Sequence, residues 1–529
     1  LDHQHDAGAH WSFDIEVAMN LPDTPVAKQS LVLILGLGET GAAAARWCAR
    51  QGAALRIADT RAAPAGLDAL RSALSELDAD VDYRLDCGDC FEASLLDGVT
   101  QVVLSPGLAP LEAPTQGLLQ YATERGIEVV GEIELFARAL TQLATERDYH
   151  PHVLAVTGTN GKTTVTAMTR QLVEAGGFSV RAAGNISPAA LHALMDALDH
   201  NALPQVWVLE LSSFQLETTS SLAPDAATVL NITQDHLDWH GDIEAYALAK
   251  ARLLTLAKVS VVNRDDARVV AMVESLPALD VRTFGRDLPE LVGDMGVEMG
   301  QGMSWLVASE PTEFDELVPP TKRKKNAPPP ERQPGRMSRL MPSDALRVRG
   351  LHNALNALAA LQLARVLNIG WGPMLRALRD YSGEPHRAEF VRSVSGVDYI
   401  NDSKGTNVGA TVAALEGLGQ PVVLIAGGLG KGQDFSPLSP VVARYARAVV
   451  LIGKDGPEIA HALVETGVPC VMAQDMRDAV RQSAALAEMG DAVLLSPACA
   501  SMDMFRNYPH RGMVFVEEVN DLALDNGEV

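Results

Sequence analysis

The stretch Val153–Thr164, V-L-A-V-T-G-T-N-G-K-T-T, limits what this chain can fold into more than any other. An apolar run of strand type breaks into a tight turn holding Gly158 and Gly161. It then continues as a helical pattern through Val165, Met168 and Leu172. Strand, short loop, helix is the geometry of a phosphate cradle. The first N–H groups of a helix lack intrahelical acceptors, and the aligned peptide dipoles favour an anion there. Backbone N–H groups at the helix start would point at the anion, Lys162 would reach the outer phosphates, and the Thr163 hydroxyl would ligate Mg²⁺. The strict pattern has glycine where this chain has Val156, so the loop is a relative of that motif. The alternative is an ordinary strand–helix turn, but the flanking strand and helix favour the cradle.

A length of 529 residues exceeds one hydrophobic core, and roughly two to four domains are expected. The net charge of −24 leaves no general footprint for nucleic acid or an anionic membrane, so an anionic ligand must be met by local cations. The apolar run Leu31–Leu35 is too short to cross a bilayer. Five unevenly spaced cysteines point to a reducing compartment, and the lone pair Cys87/Cys90 is read as two ordinary thiols rather than a zinc site.

Along the chain, residues 1–29 are expected to be a poorly ordered leader without a secretory pattern. Residues 30–140 alternate strands and helices, which implies a parallel sheet. Leu31–Leu35 runs into Gly36-Leu37-Gly38-Glu39-Thr40-Gly41, and a second strand, Ala54–Ala58, ends at Asp59. Taken alone, this pattern says dinucleotide. The strand Gln101–Leu104 ends in the turn Ser105-Pro106-Gly107. Residues 141–383 hold the phosphate loop and strands Val206–Leu209 and Ala227–Leu230. The first of these runs into Glu210, and the second into Asn231 and His236. A helix bearing Lys250 follows, and Thr255–Asn263 suggests another strand. Residues 310–345, with Pro319-Pro320, Lys322-Arg323-Lys324-Lys325 and Pro328-Pro329-Pro330, are expected to be a disordered insertion. Gly350 opens a helix with Asn353 and Asn356 one turn apart. Residues 384–529 resume strand–helix alternation after Arg387 and form a third α/β domain.

The polar strand ends together suit phosphoryl transfer, which needs phosphate positioning, Mg²⁺ and cations. The stretches Thr157–Thr164, Glu210–Glu217, Asn231–Asp238, Gly350–Asn353, Asn401–Asn407 and Ser496–Phe505 resemble those of the Mur ligases of bacterial peptidoglycan synthesis. The resemblance covers about residues 30–529 apart from the insertion. It implies three α/β domains: a Rossmann-like UDP-binding domain, a central P-loop-type ATPase domain with a parallel sheet, and a Rossmann-like C-terminal domain. It also implies ATP-driven joining of D-glutamate to UDP-N-acetylmuramoyl-L-alanine (UDP-MurNAc-L-Ala) through an acyl phosphate, in a cytoplasmic monomer that neither enters membranes nor binds nucleic acid.

The site residues that the resemblance implies follow the same order. Glu39, Thr40, Asp59, Thr60, Arg61, Ser105, Pro106, Gly107 and Asn185 would hold the UDP substrate. ATP would meet Gly158–Thr164, Asn353, Asn356, Arg387 and Asp402. D-Glutamate would meet Thr406, Lys431, Ser501, Met502 and Tyr508. Lys162, Glu210, His236 and Lys250 would be catalytic. Two Mg²⁺ ions would be held by Thr163, Glu210, His236 and Lys250, the last as a carbamate. One departure is Leu429, which stands where the family commonly has an acidic residue two positions before the lysine of the last loop. Three other readings stay open: a related amide ligase of folylpolyglutamate-synthase type with another amino acid, a nucleotide-dependent dehydrogenase resting on Gly36–Gly41 and Asp59, and a non-catalytic scaffold that binds ATP without amino-acid-dependent phosphate release.

Overall fold

The protein is described by a computed structural model over residues 30–274, 280–300, 302–312, 332–348 and 350–528. The expected leader, 1–29, lies outside these residues. The chain divides into two compact units. The first runs through Tyr149 and takes in Thr218–Leu222; the second holds His150–Glu217 and everything from Ala223 on.

The first unit is a five-stranded sheet of β1 (Leu31–Leu35), β2 (Ala54–Ala58), β3 (Val81–Arg84), β4 (Val99–Leu104) and β5 (Glu128–Val130), in the order β3-β2-β1-β4-β5. All pairings are parallel, as the alternating pattern implied. Val32, Leu33, Ile34 and Leu35 are wholly buried, which explains why β1 is continuously apolar rather than alternating. The segment Thr218–Leu222 belongs to this unit because the buried Glu134 carboxylate accepts the Ser220 and Ser221 amides at 2.8 and 2.9 Å.

The second unit holds two sheets. The larger contains β6 (His152–Thr157), β7 (Val180–Gly184), β8 (Val206–Glu210), β9 (Ala226–Val229), β10 (Val259–Asn263), β11 (Asp280–Phe284), β12 (Met295–Gly300), β13 (Met303–Glu310) and β14 (Arg336–Pro342). Its order is β14-β13-β12-β11-β10-β9-β6-β8-β7. β6 lies between β8 and β9, so the loops leaving all three strands open at one edge. The Ala/Leu-rich helix Leu351–Arg365 is mostly buried, packed with Lys162–Ala175 in one core, with Asn353 and Asn356 near its start. The smaller sheet contains β15 (Glu389–Val394), β16 (Val397–Asn401), β17 (Val422–Gly427), β18 (Ala446–Ile452), β19 (Cys470–Met472) and β20 (Ala492–Leu495), in the order β15-β16-β20-β17-β18-β19.

The structure corrects three expectations. The strand expected over Thr255–Asn263 begins at Val259, because the helix Ile243–Leu256 runs through Thr255. The central sheet is mixed rather than parallel: β13 pairs antiparallel with both β12 and β14. Part of the expected disordered insertion is ordered, since residues 336–342 form β14. That edge strand buries only Met341 well, so its composition looks unlike a core strand. Residues 313–331 lie outside the described residues.

Leu154, wholly buried in β6, supports the phosphate loop from below. Leu154→Ala should cost about 2–5 kcal/mol and lower the melting transition measured by calorimetry.

Candidate active site

The phosphate loop leaves β6 and turns at Gly161 with φ +85°, into the helix Lys162–Ala175. A Cβ on Gly161 would stand 2.6 Å from Asn356 Oδ1, so both conformation and space demand glycine there. The loop is pinned from β9's side. Asn160 N–H donates to Asn231 Oδ1 (2.8 Å), Asn231 Nδ2 donates to Asn160 O (3.1 Å), and Thr159 N–H donates to Asn231 O (2.9 Å). Thr159 Oγ1 accepts from Thr233 N–H (3.0 Å) and from the Tyr246 hydroxyl (3.1 Å).

From β8, Glu210 is buried. Its Oε2 accepts from Thr163 Oγ1 (2.7 Å) and its Oε1 from Asn185 Nδ2 (2.8 Å). Arg387 Nη2 donates to Thr163 Oγ1 at 2.5 Å. Lys162 is half-buried and donates to the carbonyls of Gly158 (2.9 Å) and Thr159 (2.7 Å). Across the opening, Asn407 and Asn160 exchange two side-chain hydrogen bonds (3.0 and 3.2 Å).

These groups surround a cavity of about 220 Å³ lined by Thr159–Lys162, Asn185, Glu210, Asp235, His236, Arg387, Lys404, Thr406 and Lys431. A larger space of about 640 Å³ shares Asn160, Gly161, Arg387 and Lys404 with it, and adds Thr164, Asn353, Asn356 and Asp402 between apolar walls such as Ile232 and Leu355. The crowded cations set the electrostatics. Burial, then the charges of Arg387 and Lys162, push Lys404 down to about 8. Burial pushes the Asp402 carboxyl up to about 6, against the Ser496 hydroxyl and the Ala388 amide that hydrogen-bond it. Burial also lowers His236, despite Asp235 at 3.7 Å, so its imidazole is neutral near pH 7 and free to act as a ligand. The His236 ring rests edge-on against Phe214, 4.7 Å between centroids.

Lys250 lies behind the loop, 1% exposed. Its Nζ donates to Thr157 Oγ1 (3.2 Å) and stands 4.7 Å from the centre of the Tyr246 ring, without a carboxylate in contact among the described residues. Burial, then the charge of Lys162, holds its ammonium well below the usual lysine range.

In the first unit, Glu39 and Thr40 open the helix Glu39–Arg50 and Ser105 Oγ donates to Gly36 O (2.7 Å). Asp59 is buried with both oxygens engaged. Leu37 N–H (2.7 Å) and Arg61 Nη2 (2.8 Å) bond one oxygen, and Arg61 N–H (2.9 Å) and Nε (2.8 Å) bond the other. Burial raises this carboxyl, but these bonds outweigh it and hold it below the usual range. Thr60 and the Pro106-Gly107 turn follow β2 and β4 at the same sheet edge.

The domain models for Mur ligases match in chain order: the MurD-like N-terminal domain over residues 30–131, the middle domain over 156–299, and the glutamate ligase domain over 386–499. The UDP-N-acetylmuramoylalanine–D-glutamate ligase of Bordetella bronchiseptica is 73% identical over 97% of this chain and 100% of its own. The chain belongs to the Mur ligase family. A second ligase of the same name, from Ralstonia nicotianae, is 56% identical over 94% of this chain and 98% of its own. The fold also resembles the MurF ligase from Thermotoga maritima solved in complex with ADP (TM-score 0.54, 16% identity, 80% of this chain and 95% of that one).

Within this Mur ligase the structure brings most of the predicted residues of the second unit together at the two cavities. Gly158, Thr163, Lys250, Ser501, Met502 and Tyr508 line neither. Ser501 is buried, Met502 is 67% exposed, and the Tyr508 ring lies 4.1 Å under Lys404 Nζ. Leu429, at the position commonly acidic in the family, instead exchanges two backbone hydrogen bonds with Ala500 (2.9 Å each). A carboxylate reaches this loop from elsewhere, because Asp455 Oδ2 accepts Gly430 N–H at 2.6 Å. Sequence reasoning missed Asp455, Tyr246 and Arg511. Tyr246 and Arg511 lie inside helices, away from any strand end, whereas Asp455 sits in the strand-end turn Gly453-Lys454-Asp455-Gly456 after β18, a signal that could have found it.

A buried ammonium without an acid partner is a stability cost. Its depressed folded-state value means that the fold releases a proton the unfolded chain keeps, so this group's contribution improves as pH rises toward 10.5. Lys250→Met should therefore raise the melting temperature of the ligand-free protein in CO₂-free buffer near pH 7, and narrow the gap between melting temperatures at pH 7 and pH 9.

Proposed function

We propose that this chain is an ATP-dependent amide ligase that joins D-glutamate to UDP-MurNAc-L-Ala, releasing ADP and phosphate, in peptidoglycan precursor synthesis. One observation carries the reading most: a phosphate loop, a buried glutamate and cations from a separate sheet (Arg387, Lys404, Lys431) converge on a single cavity. The high identity to ligases of that name supports the choice of substrates.

The residues divide the work as follows. Residues 30–140 bind the UDP substrate, 141–383 bind ATP, and 384–529 bind the amino acid. At the first unit's helix N-terminus, Asp59 is already saturated, and Arg61, 55% exposed, offers a cation. That suits a diphosphate better than the ribose diol of NAD, which needs a free acid. In the second unit, Asn353, Asn356 and Asp402 border the larger space, which takes the nucleoside of ATP. Lys162 and Arg387 offset charge on the γ-phosphate while the alanyl carboxylate attacks phosphorus and the bond to ADP breaks. The D-glutamate amine then attacks the acyl-phosphate carbon, and the C–O bond to phosphate breaks as the amine loses its proton. Thr406 and Lys431, which line the smaller cavity, seat the D-glutamate carboxylates.

Thr163, Glu210 and His236 would hold Mg²⁺, which supplies charge neutralisation at the transferring phosphoryl group. The donor set fits an ion that takes most of its oxygens from phosphate and water: among the described residues no cluster of three His, Cys, Asp or Glu could hold a metal. A second ion needs another anionic ligand near Lys162. Carbamylated Lys250 provides one: the neutral amine adds to CO₂, the N–C bond forms, and one proton leaves. Burial favours the neutral amine this requires. The enzyme acts in the cytoplasm as a monomer; the described cysteines are all free thiols.

Phosphate release from ATP with UDP-MurNAc-L-Ala and a panel of amino acids tests the reading. D-Glutamate should support turnover and L-glutamate should not. Turnover with a different amino acid alone would assign a related ligase, and stabilisation by NAD(H) rather than by the UDP substrate would restore the dehydrogenase. Lys162→Ala should fold normally and lose about 10³-fold in kcat/KM. For Lys250, ¹³C NMR in labelled bicarbonate should show a carbamate signal that vanishes in Lys250→Ala, with activity of the variant partly restored by short carboxylic acids.

A further inference from the structure

Arg511 is the largest wholly buried cation of the second unit that touches neither cavity. It lies in the first turns of the helix Tyr508–Asp525, next to Gly512, where a Cβ would meet His386 Nδ1 at 2.3 Å. That close approach brings the guanidinium under the loops leaving β16 and β20. Nε donates to Ser403 Oγ (3.1 Å), Nη2 to Ser403 O (2.8 Å) and Nη1 to Cys499 O (3.0 Å). Ser403 Oγ in turn donates to Tyr508 O (2.8 Å), closing the ring back onto the helix start. All three acceptors are neutral oxygens. Burial pulls the guanidinium down to about 10, which still leaves it charged near pH 7. Three charge-assisted bonds hold it there, and a planar fork can span two loops where an ammonium cannot.

The two loops are those that meet the amino-acid end of the cavity. Beyond Ser403 come Lys404 and Thr406. Beyond Cys499 comes Ala500, whose paired backbone bonds with Leu429 lead to Lys431. Asp402, beside Ser403, has anchors of its own: its N–H donates to Leu495 O (2.8 Å), and its carboxylate accepts from Ser496 and from Ala388 N–H. The ATP side of the loop thus has hydrogen bonds that do not pass through Arg511.

We propose that Arg511 is a positioning residue that clasps the β16 and β20 loops into one platform for the amino-acid substrate, and so sets the KM for D-glutamate without touching it. The inference rests on the assignment of D-glutamate to this end of the cavity.

The test uses the full-length enzyme, phosphate release from ATP and saturating UDP-MurNAc-L-Ala, with Arg511→Lys and Arg511→Met. Arg511→Lys keeps a basic hydrogen-bond donor and loses the fork, so KM for D-glutamate should rise about fivefold or more; Arg511→Met should raise it about twentyfold or more. KM for ATP should stay within about threefold in both. A role confined to folding would instead lower kcat with the active fraction and leave every KM unchanged, and that result would overturn the proposal. So would a wild-type KM for D-glutamate in Arg511→Lys, whether or not Arg511→Met folds. Wild-type enzyme in the same assay separates the two readings: its failure to use D-glutamate rejects the substrate assignment, whereas normal wild-type turnover with unchanged variants rejects only the clasp.

Discussion

The double hydrogen bond between Asn160 and Asn407 is the contact on which the site depends. Asn160 is in the phosphate loop at the end of β6, and Asn407 caps the helix Val408–Leu418, accepting Ala410 N–H at 2.9 Å. Neither sheet alone builds a site. The central sheet offers a phosphate loop, Glu210 and a backing lysine; the smaller sheet offers cations at its loop ends. The amide pair closes the one against the other, and the cavity between is lined by both. An amide pair suits this task because it is neutral, reciprocal and directional, so it sets a register without adding to the charge around it.

That charge is the second theme. A protein with a net charge of −24 gathers Lys162, Arg387, Lys404 and Lys431 around about 220 Å³. Burial and, after it, the neighbouring charges of Arg387 and Lys162 lower Lys404. An anionic ligand would be met there by several cations at once. The same logic separates the two units. In the first, Asp59 is neutralised by Arg61 and the backbone, which turns a turn that looks ready for a ribose into one with an outward-facing guanidinium.

Much of the fold was legible because its signals are local. Buried parallel strands are continuous apolar runs, and β1, β8 and β20 were visible as such. The phosphate loop was visible because strand, glycine turn and helix lie within a few residues. The strands β11–β14 were not. They form the mixed edge of the sheet, where partial exposure dilutes the apolar pattern, and β14 lies within a stretch whose composition argues for disorder. The start of β10 was misplaced because Thr255 and Leu256 are as compatible with a strand as with a helix end.

The sequence by itself determined the class of fold, the location of the phosphate cradle and the residue types available for chemistry, because these depend on periodicity and on neighbours in the chain. Tertiary structure alone decided which of those residues meet. Glu210 faces Thr163 because β8 pairs with β6. Lys250 loses its water because its helix packs behind the loop. Arg511 becomes a clasp because Gly512 lets its helix approach. Burial, pairing across strands and the spacing of charges are properties of surfaces brought together by packing, and residues far apart in the chain carry no local mark of them.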